Sequence, residues 1–158
     1  MTIKMKLGDS IPTFDDRVEW LDGIKLERHT GRPLLVHFWS TGCPLCHEGS
    51  ELVNEWRSRY GAGALDVIAV FAPRPETTSF DIEAVRRDAR DLMHIDHPCI
   101  VDRHRDVQNS FECPYAPGYF VFDADGKLRH RQMGNDALAN IGALIDRLIA
   151  KASSSSGA

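Results

Sequence analysis

Cys43 and Cys46 stand two residues apart and are followed at once by His47, in the stretch HFWSTGCPLCH over 37–47. That string serves three chemistries: a dithiol redox pair, a covalent haem c attachment site, or half of a zinc site. Haem attachment calls for an exported chain with a loop-rich helical wrap and a distal ligand, whereas here the motif follows an apolar, strand-like run. Zinc calls for three or four ligands, usually in two close pairs. The two remaining cysteines, Cys99 and Cys113, belong to no second pair. The redox reading uses the local context directly. A thiol at a helix N-terminus meets the positive end of the macrodipole and unpaired amide protons, which favour its thiolate. Three residues on, one helical turn brings Cys46 back within bonding reach of Cys43. Cys46, shielded by the helix, would act second.

The elements needed to hold this arrangement are legible on either side. LLVHFW (34–39) is a short apolar run after Gly31-Arg32-Pro33 and is predicted as a buried strand. From Pro44, Leu45, Gly49, Leu52, Val53, Trp56 and Tyr60 recur at helical spacing up to Gly61. Pro44 suits a first turn, where a missing amide proton costs nothing. LDVIAVFA (65–72) reads as a second strand, giving a right-handed βαβ unit. Ile82, Val85, Ala89, Leu92 and Met93 mark another amphipathic helix, CIVD (99–102) an extended piece, and 105–112 one or two helical turns. YFVFDADGKLRHRQM (119–133) is a hairpin turning at Ala124-Asp125-Gly126-Lys127, and a closing helix starts near Asp136. RVEWLDGIKLERH (17–29) is predicted as a small hairpin at the sheet edge, turning at Asp22-Gly23. The class is α/β: a central mixed sheet with helices on both faces. One domain over 1–151 is expected, with a disordered tail over 152–158.

Composition narrows the function. With 158 residues and 42% apolar content the chain builds one core rather than two, and a net charge of -4 without a basic stripe excludes a phosphate-backbone partner. No run reaches membrane-spanning length, and the first thirty residues lack the apolar segment of a signal peptide, so a cytoplasmic protein is expected if this is the native start. Four cysteines are too few for a disulfide scaffold, so a disulfide here would be transient.

LLVHFWSTGCPLC resembles the active-site strand and helix start of thioredoxin-fold proteins. GRPLLVHFWSTGCPLCHEGSELVNEW is more specifically similar to the TlpA/ResA-like thiol-disulfide oxidoreductases, and among them to soluble members without a membrane anchor. A second motif, YAPGYFVFDADGKL, resembles the family's cis-proline loop and the hairpin after it; the likeness runs from about Gly31 to Gly134. The resemblance implies a thioredoxin-like fold and a catalytic set of Cys43 as attacking thiolate, Cys46 as resolving thiol and Pro117 as the cis proline. Ala116 would offer its backbone to a substrate strand, and Trp39 would pack under the site. Gly42 and Pro44 complete the implied substrate-binding set. The implied partners are disulfide-containing proteins and a thioredoxin-type reducing system, with no cofactor, no metal, no membrane and a monomeric protein serving cell redox homeostasis.

Departures from the pattern bear on the chemistry. Gly42 replaces the tryptophan that many thioredoxins place before the first cysteine, and Pro-Leu replaces Gly-Pro between the cysteines. His37 falls six residues before Cys43, where thioredoxins keep a buried aspartate that moves a proton at the resolving thiol. A neutral imidazole can do that work; the alternative is a core histidine bonded to a backbone carbonyl. Glu76 is a candidate carboxylate near the dithiol or a solvated surface residue. His47 is expected to face water, and Cys113, four residues before Pro117, to be a buried thiol or one near enough to react; Cys99 is expected to pack. A peroxide-reducing relative would need a Thr or Ser three residues before the cysteine and a proline four residues earlier; Ser40 fits, but position 36 is valine. From another class, a redox-inert or zinc-holding docking module remains the alternative to a protein thiol-disulfide oxidoreductase.

Overall fold

The computed structural model describes residues 5–12, 14, 18–26, 31–61, 63–74 and 79–156. Its centre is β2, Leu34–Trp39, in which every residue is buried. A strand covered on both faces has no wet side, which is why it reads as an apolar run broken only by His37. It pairs in parallel with β3, Asp66–Phe71, from Leu34 opposite Asp66 to Trp39 opposite Phe71. The crossover is α1, Pro44–Tyr60, with Pro44 in the first turn and Gly61 (φ 74°) at its end, its amide bonded to the Arg57 carbonyl at 3.0 Å.

The buried face of α1 is Cys46, Gly49, Ser50, Val53 and Trp56. Leu45, expected on that face, lies one position off this i, i+3, i+4, i+7 stripe and is 49% exposed. The second helix, α2, Ile82–Arg87, is capped by the Asp81 side chain and runs on into one π turn over Asp88–Leu92. It leads to β4, Cys99–Val101, parallel to β3. After α3, Asp106–Phe111, the chain forms the hairpin of β5, Gly118–Phe122, and β6, Leu128–Met133, both antiparallel to their neighbours. Asp123 closes its turn by accepting the amides of Asp125 and Lys127 at 3.0 Å each.

Two expectations at the ends differ from the structure. The segment around Asp22-Gly23 does join the sheet edge, but as the two-residue β1, Glu19–Trp20, antiparallel to β4. No second arm follows among the described residues. The chain enters a 3-10 turn at Leu21–Gly23, and Arg86 and Arg90 bind Asp22 at 2.6 and 3.0 Å, docking the turn on α2 instead of reversing the strand. At the other end α4, Leu138–Ser156, continues past the boundary expected at 151, because neither proline nor glycine occurs between Lys151 and Gly157.

The sheet order is β1-β4-β3-β2-β5-β6. Alternation along the strands separates the core into two sides. Leu34, Val36 and Phe38 meet Val107 and Phe111 of α3, while Leu35 and Trp39 face the side covered by α1, α2 and α4. Helices therefore cover both faces.

At Gly49 the motif-bearing helix lies close against the hairpin. A Cβ there would stand 1.8 Å from the Tyr119 hydroxyl. That hydroxyl donates to Asn135 Oδ1 at 2.8 Å, and Asn135 Nδ2 donates to the Leu45 carbonyl at 2.8 Å, tying β5 to the first turn of α1. Gly49→Ala is expected to destabilise the protein by about 1–3 kcal/mol through overpacking. Urea unfolding measures this, and adding Tyr119→Phe should recover part of the loss.

Candidate active site

The motif sits where β2 hands over to α1. Cys43 is the N-cap of the helix, in extended backbone (φ -121°, ψ 98°). This position leaves the first amides of α1 without helical carbonyl partners, and one of them is used: the Cys46 amide donates to Cys43 Sγ at 3.2 Å. The same sulfur lies at the positive end of a helix of 17 residues. Cys43 and Cys46 form a disulfide, with Cα atoms 5.2 Å apart. Cys43 is half-buried and Cys46 is buried, so an incoming group meets Cys43 first.

The other expected site residues divide into those that surround the dithiol and one that does not. The Ala116–Pro117 peptide is cis, and both residues line a hollow of about 290 Å³ together with Gly42, Cys43, Pro44 and Arg74. A second hollow, of about 380 Å³, lies on the other side of Cys43 between Trp39, His47, Leu92 and Met93. Trp39 is buried and packs edge-to-face on Phe71 at 5.2 Å, forming a floor beside Cys46. Ser40 lines both hollows, and its buried hydroxyl has no partner among the described residues. Leu45, Leu92 and Tyr115 stand half-exposed around this rim. Glu76 lies outside the described residues.

His37 has a partner that neither sequence-based expectation named. Its Nε2 lies 2.7 Å from Nε2 of His97, and both imidazoles are buried. One ring must donate and the other accept, so the two cannot both carry a proton on Nε2, and burial disfavours a charge on either. Burial, aided by the positive charge of Arg57, pulls His37 down to about 3. Burial also pulls His97 down, and His37, Arg57 and Arg90 add to it. An imidazole that takes a proton only in strong acid is a poor acceptor for a thiol proton near neutrality. His97 carried no signal in the sequence, since its pairing is a contact between residues 60 positions apart.

The two remaining cysteines are packed away. Cys99, on β4, is buried and its thiol is pushed up to about 11 by burial. Cys113 is buried too, donates to the Tyr115 carbonyl at 3.3 Å, and is pushed up to about 12 by burial. Among the described residues no three His, Cys, Asp or Glu side chains gather as a metal site would require. A Cys43 thiolate is thus the one sulfur here with access, a helix terminus and an internal partner, and the arrangement is built for thiol-disulfide exchange.

Comparison with known proteins agrees with the geometry. The family model described as Redoxin matches residues 6–145. The chain is 36% identical over 149 residues to the thiol-disulfide oxidoreductase YkuV of Bacillus subtilis, covering 93% of this chain and 99% of that one. It is 26% identical over 133 residues to the thiol-disulfide oxidoreductase ResA of Bacillus cereus, covering 83% of this chain and 72% of that one. Among solved structures it matches a thioredoxin-like protein in the oxidised form with a TM-score of 0.78 and 35% identity, over 93% of this chain and 99% of that one. The fold is thioredoxin-like.

Two measurements follow from the site. Because both histidines are held below their unfolded value of about 6.5, the unfolded chain binds more protons, and stability present above that pH is lost as pH falls toward 3. Denaturant titrations should show a decline of about 1.4 kcal/mol per pH unit for each histidine that gains its proton on unfolding. A His37→Leu/His97→Leu variant should show a shallower slope. Thiol labelling of the reduced native protein should find one fast sulfhydryl, Cys43, and denaturant should expose Cys46, Cys99 and Cys113 as well.

Proposed function

This chain belongs to the Redoxin family, and we propose that its dithiol works as a reductase of protein disulfides. The observation that carries this reading is the half-buried Cys43, capping α1 and joined to the buried Cys46 beside the Pro117 loop. In the reduced protein the Cys43 thiolate attacks one sulfur of a substrate disulfide. A mixed disulfide forms, and the other substrate sulfur leaves as a thiolate. Cys46 then attacks Cys43, its proton passing to a departing substrate thiolate, and the second substrate sulfur is released. Two electrons have moved from protein to substrate, and the Cys43–Cys46 disulfide is the product.

Pro117 and Ala116 form one wall against which the substrate chain lies, Gly42 and Pro44 the other, and Trp39 the floor under the second hollow. His37 acts in this reading as a structural neutral partner of His97 rather than as the proton carrier. No metal or organic cofactor takes part. No helix among the described residues is long and apolar enough to cross a membrane, and the protein works as a cytoplasmic monomer whose disulfide is returned to the dithiol by a thioredoxin-type system.

Cys46→Ser is expected to accumulate mixed disulfides with its substrates, and Cys43→Ser to form none. Both should lose the reduction of insulin disulfides that the wild-type protein performs. Turnover by both variants at the wild-type rate would overturn the reading. Stoichiometric zinc bound to Cys43 and Cys46 would favour a metal-holding docking module instead.

A further inference from the structure

Arg74 follows β3 directly and reaches back across the mouth of the site. Its Nη2 donates to the Gly42 carbonyl at 2.6 Å and to the Thr41 carbonyl at 3.3 Å. We infer that Arg74 is a positioning residue for thiol-disulfide exchange, fixing the turn that presents Cys43 and placing a permanent positive charge on the peptide carbonyl that precedes it. This deepens the functional reading above and rests on Cys43 being the attacking sulfur.

Three features carry the inference together. The first is the turn itself. Gly42 has φ +63°, and a Cβ there would stand 3.1 Å from Arg74 Nη2, so a side chain at position 42 would press on the guanidinium. The glycine that replaces a bulky residue before the first cysteine thus makes room for a cation. The second is anchorage: Arg105, at the start of α3, donates to the Arg74 carbonyl, which holds the segment bearing the charge. The third is isolation. Among the described residues, Arg74 is the only charged side chain lining the hollow shared by Cys43 and the Pro117 loop.

Among the described residues, three other titratable side chains line the hollows beside Cys43. His47 from α1 and Asp88 from the π turn line the opposite hollow, and the Tyr115 phenol lines the same hollow as Arg74. Asp88 carries the sign that opposes a thiolate, whereas a guanidinium keeps its positive charge throughout. Arg74 is exposed, so its field on Cys43 is weakened by water and by salt. A charge in that setting shifts a neighbouring titration by roughly half to one pH unit rather than several.

The test follows the ultraviolet absorbance of the Cys43 thiolate in reduced protein while pH is raised, at low and at high salt, for wild type, Arg74→Met and Arg74→Lys. Arg74→Met should move the midpoint up by roughly half to one unit, and slow insulin reduction about three- to tenfold on the acid side of the midpoint. Its rate should rejoin that of wild type at alkaline pH, where both sulfurs are ionised. Arg74→Lys should recover most of the midpoint, and high salt should raise the wild-type midpoint toward that of Arg74→Met. Equal midpoints for wild type and Arg74→Met would overturn the inference. So would an Arg74→Lys shift as large as that of Arg74→Met with no dependence on salt. The titration needs no substrate, so a wild-type protein that leaves insulin untouched would sink the functional reading alone.

Discussion

The Cys46 amide lies in the first turn of α1, where no helical carbonyl can reach it, and it donates to the sulfur of Cys43 instead. This bond couples backbone to chemistry. It exists because Cys43 is held as the N-cap, and Cys43 is held there because β2 ends at Trp39 and a turn through Ser40, Thr41 and Gly42 delivers the chain to Pro44. The parallel pairing of β2 with β3 sets the level at which that turn emerges, with the Ala72 amide on the Trp39 carbonyl at 2.7 Å as its last rung. Slide the strands by one residue and every side chain on β2 changes face.

Around that fixed point the fold separates two kinds of sulfur. Cys43 has a helix terminus, an amide donor and a nearby guanidinium, all of which favour its ionised form. Cys99 and Cys113 have apolar neighbours, and burial keeps both protonated. The same side chain is made reactive or inert by what surrounds it. The buried imidazole pair follows the same logic in reverse: His37 and His97 are useful to the core only while neutral, so the centre of the sheet face under α1 tolerates polarity without charge.

Much of this was visible before folding was considered. The helix from Pro44 to Gly61 was marked by a proline that needs no amide partner and a glycine that accepts a positive φ. The strands at 34–39 and 66–71 were marked by apolar runs too short for helices. The Asp-Gly turn placed the β5–β6 hairpin. The N-terminal turn at Asp22-Gly23 misled, because the same dipeptide that closes a hairpin also suits a turn docked by two arginines of α2 and the π turn after it. Leu45 misled by one position on a helix whose buried stripe is anchored on Cys46.

The sequence by itself determined the dithiol and its place at a strand-to-helix junction, because local spacing and chain direction suffice to specify which atoms share one helical turn; the proline loop was legible only through the family resemblance. Tertiary structure alone decided that His37 answers to His97, that Arg74 lies over the turn before Cys43, and that Gly49 must stay bare beneath Tyr119. Those pairs are separated by tens of residues along the chain. No periodicity links their positions, and only the register of the sheet and the packing of helices on it brings them within bonding distance.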